Sequence, residues 1–209
     1  MKAPSSDWQA FVLRPFESED ARRGQLTSTP FAAVAAATAA APAAAGAGLE
    51  LSGEIRRRGG TLELRLCLGG DLASLLLAEP CQRPERRDDL WRSTCFELFL
   101  ASEGQPFYWE VNLSAAGHWN VYRFSGYRQG MAIEPSLQAL PFELKSASGG
   151  LELALNWPLP EEIRSTSSAL VAGVCAVIEQ RQGLLSHWAV THPGSVADFH
   201  RHDGLVLRL

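Results

Sequence analysis

Residues 94–124 read TCFELFLASEGQPFYWEVNLSAAGHWNVYRF, and this stretch decides the fold. Within it, Thr94–Leu100, Phe107–Leu113 and Trp119–Phe124 are short runs in which apolar residues recur at every second position, as is typical of β-strands. The connecting segments 102–106 and 114–117 have the length of hairpin loops. We therefore predict that the three runs form an antiparallel meander.

The alternation assigns the side chains of the meander to two faces. One face is apolar and is predicted to pack into the core; it carries Phe96, Leu98, Leu100, Trp109, Val111, Leu113, Trp119 and Val121. The other face carries Glu97, Tyr108, Glu110, Asn112, Asn120 and Tyr122. A simple hairpin register places Asn112 opposite Asn120 and Glu110 opposite Tyr122, with Glu97 near Glu110.

The polar face has the chemistry of a binding site. Carboxylates and amides exchange hydrogen bonds with sugar hydroxyls, and aromatic rings stack on the apolar faces of sugar rings. An alternative is that Glu97 and Glu110 pair with Arg92, Arg123 or Arg181 under a covering loop. Two carboxylates on adjacent strands are also what a glycosidase uses, so a hydrolase acting through Glu97 and Glu110 is a second hypothesis.

Period-two patterning continues through most of the chain. Further strands are predicted at Leu49–Ile55, Thr61–Leu68, Phe142–Ser146, Leu151–Asn156, Leu170–Gln180, His187–Val190 and Leu205–Leu209, and short helices at Asp71–Leu77 and Pro160–Arg164. We expect a single all-β domain over residues 1–209, built as a two-sheet antiparallel, jelly-roll-like β-sandwich with few short helices. The alanine-rich segment Phe31–Gly48 is interpreted as a low-complexity connection within it.

Composition excludes several classes of protein. With 46% hydrophobic and 20% charged residues, the 209-residue chain can build a core. Its net charge of −4 argues against a nucleic-acid partner. It has no apolar run of the roughly 18 residues that a transmembrane helix needs. The N-terminus does not resemble a signal peptide, and the four cysteines form no CxxC pair, so we expect a cytoplasmic protein with reduced thiols and no membrane partner; the oligomeric state is left open.

Four of the five histidines lie between residues 187 and 202. His200 and His202 share one face of an extended segment and are the candidates for a metal site, including the metal of a hydrolase. Haem would need an axial pair such as Met131 with one histidine. Our main prediction includes no cofactor, and haem and a divalent metal are retained as alternatives.

Several strings resemble the DOMON-like proteins related to family 9 carbohydrate-binding modules: DLWRSTCFELFL at 89–100, YWEVNLS at 108–114, GHWNVYRF at 117–124, GYR at 126–128, and HPG at 192–194 followed by DFH at 198–200. The resemblance covers roughly residues 49–209. It implies a two-sheet sandwich that binds sugars or haem in a cleft between a sheet and its loops.

In the sugar-binding relatives, aromatic side chains clamp a terminal sugar and polar strand residues bind its hydroxyls. The residues assigned to that role here by resemblance are Trp91, Glu97, Glu110, Asn112, Asn120, Tyr122, Trp188 and His192. The sequence thus predicts a non-catalytic domain that binds a carbohydrate or another sugar-containing small molecule.

Overall fold

The structure is a computed structural model, and it describes residues 7–17, 48–147 and 150–209. Except for Gly48, the predicted alanine-rich connection lies outside the described residues. The strands are β1 (Gln9–Pro15), β2 (Leu49–Arg58), β3 (Thr61–Gly70), β4 (Cys95–Ser102), β5 (Tyr108–Ser114), β6 (Trp119–Phe124), β7 (Ala132–Ile133), β8 (Phe142–Ala147), β9 (Gly150–Pro158), β10 (Leu170–Glu179), β11 (Leu185–Ala189) and β12 (Leu207–Arg208).

Helical structure is sparse in the described chain, as the sequence predicts. The helices are α1 (Glu161–Arg164) and the 3₁₀ turns Leu72–Ser74, Leu90–Arg92 and His202–Gly204. The helix predicted at 71–77 is thus reduced to a single 3₁₀ turn. Within the described residues, no helix combines the length and hydrophobicity needed to cross a bilayer.

All strands belong to one curled antiparallel sheet in the order β7-β6-β5-β4-β10-β11-β1-β2-β3-β9-β8, with β12 also beside β10. We call β4–β7 with β10–β12 the meander half, and β2, β3, β8 and β9 the hairpin half. Strand β1 joins them: Arg14 pairs with Ala189 of β11, and Leu13 pairs with Leu51 of β2. The expected pair of separate sheets is therefore corrected to one continuous sheet, because β1 hydrogen-bonds along both of its edges.

The two halves curl so that their inner faces bury one shared core. From the hairpin half this core includes Leu64 and Trp157, and from the meander half it includes Leu98 and Trp109. The predicted core face of the meander is confirmed, since all eight of its residues belong to this cluster. Burying a large apolar side chain contributes about 1.5–3 kcal/mol, so this core is the main source of stability.

The pairing within the meander also matches the prediction. Asn112 pairs with Asn120 and Glu110 with Tyr122, while Glu97 pairs with Asn112. The inner faces are fixed in the core, and a one-residue slip would turn every side chain over. The register therefore holds the predicted polar side chains together on the outer face of the meander half.

Candidate functional site

A cavity of about 380 Å³ lies on the outer face of the meander half. Its floor consists of outward-pointing side chains from five neighbouring strands: Val177, His187, Glu97, Glu110 and Phe124. Three loops form its walls and contribute Trp91, Arg128, Met131, Ala197, Phe199 and His200. The site is therefore a strand-built floor enclosed by loops distant in sequence.

The C-terminal loop is fastened over this floor by polar contacts. The Tyr108 hydroxyl and His200 Nδ1 share a hydrogen bond of 2.7 Å. Arg128 Nη2 donates to Asp198 Oδ1 at 2.8 Å, joining the β6–β7 loop to the C-terminal loop. Tyr108 also stacks on Phe124, with ring centroids 4.8 Å apart and planes 5° apart. These contacts fix two walls of the cavity against the sheet.

The wall that carries Trp91 is fixed by a second network. The Tyr122 hydroxyl donates to Asp88 Oδ1 at 2.6 Å, and Asn120 Nδ2 donates to the same oxygen at 2.9 Å. Arg86 Nη1 donates to Asn120 Oδ1 at 2.8 Å. The Trp91 ring packs edge-on against Tyr122 at 5.8 Å. Asn120 and Tyr122 therefore position the Trp91 loop instead of lining the cavity.

Glu97 has an unusual environment at the cavity floor. The residue is only 4% exposed, and its Oε1 atom has no hydrogen-bond partner in the described part of the chain. Burial raises the pKa of this carboxyl well above its usual value, and the nearby Glu110 carboxylate raises it further. A buried carboxyl oxygen without a partner costs free energy, so it is a group to which a ligand can donate a hydrogen bond with net gain.

Glu110 is equally buried but better satisfied. Asn112 Nδ2 donates to its Oε1 at 2.7 Å, and His200 Nε2 lies 3.9 Å from its Oε2. Burial raises the pKa of Glu110 to about 7, against the opposing effects of Asn112 and Arg128. Burial, assisted by Arg128, lowers the pKa of His200 to about 4. At neutral pH the histidine is uncharged and does not form an ion pair with the carboxylate.

The alternative that Glu97 and Glu110 form salt bridges with arginines under a covering loop does not agree with the structure. Arg92, Arg123 and Arg181 all have partners away from Glu97 and Glu110. These partners are the Asp89 carboxylate, the Glu162 carboxylate and the Ala73 carbonyl, respectively. Loops do cover the face, but they enclose a cavity, and no arginine of the described residues forms a salt bridge with either carboxyl.

Three of the eight residues assigned to ligand binding line the cavity: Trp91, Glu97 and Glu110. Asn112 lies beside them and holds the Glu110 carboxyl. Together with Asn120 and Tyr122, which brace the Trp91 loop, it completes the group that the structure brings to this face.

Trp188 and His192 lie elsewhere, which corrects their assignment to the site. Trp188 is 3% exposed in the core, where its Nε1 donates to Ser186 Oγ at 2.9 Å. Alternation along β11 turns His187, not Trp188, outward to the cavity. The His192 ring shares a hydrogen bond of 2.9 Å with the Arg14 carbonyl and lines a separate pocket near β1.

The sequence did not assign most of the remaining lining to ligand binding, although Met131 and His200 were candidates for haem or metal, and Arg128 and Phe199 lie in strings that resemble DOMON-like proteins. Alternation along the strands could have identified two of the remaining lining residues. Phe124 follows Asn120 and Tyr122 on the outer face of β6, and His187 is the outward-facing neighbour of Trp188 on β11. Arg128, Met131 and Phe199 come from loops, whose approach to the sheet leaves no periodic signal in the sequence.

The histidine-rich end does not assemble a metal site. His200 lines the cavity, whereas His202 packs on Tyr108 at 5.5 Å and lines another pocket. Among the described residues, no three His, Cys, Asp or Glu side chains are grouped to hold a metal ion. The histidine-bound-metal hypotheses therefore lack a ligand set in this part of the chain.

The cavity also fits haem poorly. Met131 and His200 both line it, as an axial pair would require. However, Nδ1 of His200 is bonded to Tyr108 and Nε2 faces Glu110. A floor of two carboxyl groups is also unsuited to the apolar face of a macrocycle. The residues present do not match what haem needs.

A larger groove of about 630 Å³ lies on the outer face of the hairpin half. Four of its five charged side chains already pair with one another: Arg65 with Glu54 at 2.8 Å, and Lys145 with Glu143. None of its described lining residues presents a buried polar atom without a partner. The smaller cavity is the better candidate because its polar groups are buried and incompletely satisfied.

Backbone strain supports the same choice. Among the described residues, the non-glycine residues with positive φ are Asp89, at 61°, and Arg128, at 53°. Asp89 begins the 3₁₀ turn that carries Trp91, and Arg128 lines the opposite wall. Left-handed conformations of this kind cost of order 1–3 kcal/mol and cluster at binding sites.

The sequence matches no protein-family model and no curated protein. The fold is similar to that of a candidate carbohydrate-binding protein from Bacteroides uniformis, with a TM-score of 0.59 and 14% identity over 76% of this chain and 77% of that chain. A family 9 carbohydrate-binding module from Caldicellulosiruptor kristjanssonii, in complex with cellotriose, gives a TM-score of 0.38 and 9% identity over 68% of this chain and 65% of that one. The second similarity is too low to support an argument, whereas the first shows a shared fold.

Proposed function

We propose that the protein is a non-catalytic binding domain for a small carbohydrate, held in the cavity on the outer face of the meander half. One observation carries the proposal: Glu97 lies at the floor of a cavity walled by aromatic rings, and one of its buried carboxyl oxygens has no partner among the described residues. A sugar hydroxyl would supply the missing hydrogen bond, and the Trp91 and Phe199 rings would pack on the sugar's C–H faces.

The size of the cavity favours a small ligand. Small-molecule sites span roughly 300–1,000 Å³, and a cavity of about 380 Å³ lies at the lower end of that range. We therefore expect a monosaccharide or disaccharide, and not an extended polymer chain. The fold shared with a candidate carbohydrate-binding protein and the DOMON-like sequence strings both support this choice of ligand class.

The test is calorimetric titration of the purified protein with a panel of mono- and disaccharides, followed by two variants. Glu97→Leu removes the free acceptor without leaving a buried charge, and Trp91→Ala removes an aromatic wall. A hydrogen bond to an uncharged group contributes about 0.5–1.5 kcal/mol, so we expect Glu97→Leu to weaken the binding of a neutral sugar about twofold to tenfold.

Matched controls are available on the hairpin half. Glu152→Leu changes an exposed glutamate, and Trp8→Ala removes a tryptophan that lies under Arg56 at 4.3 Å, on the other half of the sheet. Both controls should bind sugar like the wild type. If no sugar binds, or if the site variants bind as tightly as the controls, the proposal is wrong.

The glycosidase hypothesis uses the same two carboxyls, and an assay for glycoside hydrolysis distinguishes it from simple binding. A raised pKa on Glu97 beside the ionisable Glu110 is the arrangement an acid catalyst needs. Incubating the protein with disaccharides and aryl glycosides tests this directly. A binding domain leaves the glycosides intact while forming a complex, whereas released sugar that disappears in Glu97→Gln would establish a hydrolase.

A further inference from the structure

The cavity floor holds two carboxyl groups for which the described residues provide no counter-ion. On the strand side, Glu97 is surrounded by the Cys95 and Cys175 thiols, both buried with raised pKa values, and by the Asn112 amide. None of these groups supplies a positive charge. On the loop side, the groups that face Glu110 are His200 and Arg128.

The basic groups around the cavity do not neutralise the floor. Arg128 is bound to the Asp198 carboxylate at 2.8 Å, so its charge is largely compensated there. Burial lowers the pKa of His200 to about 4 and also lowers that of His187, with a further contribution from His192. At neutral pH both cavity histidines are therefore uncharged.

A ligand cation would complete this site better than a neutral hydroxyl. A hydroxyl donates one proton, whereas a primary ammonium donates three and carries the missing charge. The rings of Trp91, Phe124 and Phe199 surround the same space and also favour a cation. A metal ion is a poorer match, because no set of three metal-ligating side chains is assembled in the described chain.

We infer that the cavity selects sugars that carry a primary amine, with the ammonium group bound by Glu97 and Glu110, over the corresponding neutral sugars. This inference rests on the proposed function, since it specifies which sugars the cavity takes. Binding the ammonium ion stabilises the ionised carboxyls, so a carboxyl proton is released to solvent as the complex forms.

The experiment compares sugars that differ in one group: glucosamine with glucose, galactosamine with galactose, and mannosamine with mannose. Each is titrated into the full chain by calorimetry at pH 7.5, in two buffers of different ionisation enthalpy. We expect at least one amine to bind about tenfold or more tightly than its neutral partner, because hydrogen bonds between charged groups are the stronger ones. After correction for the proton that the free-base fraction of the amine takes up as it binds, we also expect proton release with the amine and none with the neutral sugar.

Variants that remove charge but keep shape locate the effect. Glu97→Gln and Glu110→Gln should each bring the amine-to-neutral affinity ratio close to one, while Glu152→Gln should leave it unchanged. Lowering the pH from 7.5 to 5.5 should also reduce the ratio in the wild type, because Glu110, with a pKa of about 7, takes up a proton.

The contrary outcomes are distinct. Neutral sugars that bind as tightly as the amines overturn the amine preference and leave the carbohydrate site standing. Cyclohexylamine that binds as tightly as the amino sugars, with no binding of neutral sugars, overturns both proposals. If no sugar binds at all, both proposals are likewise wrong. Calcium, magnesium or zinc chloride that competes with the amine at equal concentration also overturns the inference, since the floor would then be a metal site.

Discussion

Replacing Glu110 with glutamine should change how the stability of the free protein depends on pH. The carboxyl is 4% exposed, and burial raises its pKa from 4.5 to about 7. Between these values the folded protein binds more protons at this site than the unfolded chain does. Stability therefore falls as pH rises from about 4.5 through 7. At about 1.4 kcal/mol per pKa unit, the wild type loses roughly 3 kcal/mol over this range.

The variant abolishes this loss because its amide does not titrate. Glutamine keeps the acceptor that Asn112 uses, so the fold should be retained. His200 gives the opposite slope: its pKa is lowered to about 4, so stability at that site is lost as pH falls below about 6.5. The difference between the two proteins cancels the His200 contribution and leaves that of Glu110, together with the smaller rise that the Glu110 carboxylate causes in the pKa of Glu97.

The assay is urea denaturation without ligand at pH values from 4.5 to 8.5, followed by tryptophan fluorescence. Relative to the wild type, Glu110→Gln should gain roughly 3 kcal/mol of unfolding free energy across this range, while the exposed-site variant Glu152→Gln should follow the wild type. Parallel curves for Glu110→Gln and wild type would show that the carboxyl is hydrated when folded. The account of the cavity floor would then be refuted.

Three further predictions concern a wall of the site, the shared core and the hairpin half. Asp198→Asn frees Arg128 to approach the carboxyls, so calorimetry should show a smaller preference for amino sugars; an unchanged preference would mean that the arginine does not reach the floor. Trp188→Ala should lower the unfolding free energy by about 3–5 kcal/mol, measured by urea denaturation, because the ring is buried in the core; a loss below 1 kcal/mol would contradict that placement. Gly53→Ala would place a methyl group 2.7 Å from the Phe11 ring and closer still to the β3 backbone. Thermal melting should show destabilisation of about 1–3 kcal/mol, and an unchanged melting temperature would argue against this packing.

Much of the fold could be predicted because the relevant information is local. Alternation identifies the strands of the meander and sorts their side chains, and short loops set the register that pairs Glu110 with Tyr122. Strand β1 was not predicted from the sequence. Its residues 10–13 are all apolar and show no alternation, and Val12 remains 58% exposed.

For the candidate site, too, local sequence patterns predicted one part and left another part undetermined. The sequence by itself determined that Glu97, Glu110, Asn112, Asn120 and Tyr122 share one face, because strand geometry fixes side-chain direction. The DOMON-like resemblance assigned Trp188 to ligand binding, yet the ring lies in the core, because alternation along β11 turns His187 outward instead.

Only the tertiary structure decided that this face is a cavity. The loops that carry Trp91 and Arg128 enclose it, and the hydrogen bond between Tyr108 and His200 joins residues 92 positions apart. These loops remove water from Glu97 and Glu110, and this desolvation raises their pKa values and leaves an oxygen unpartnered. Solvent exclusion depends on segments that meet only in the folded chain, so no local pattern encodes it.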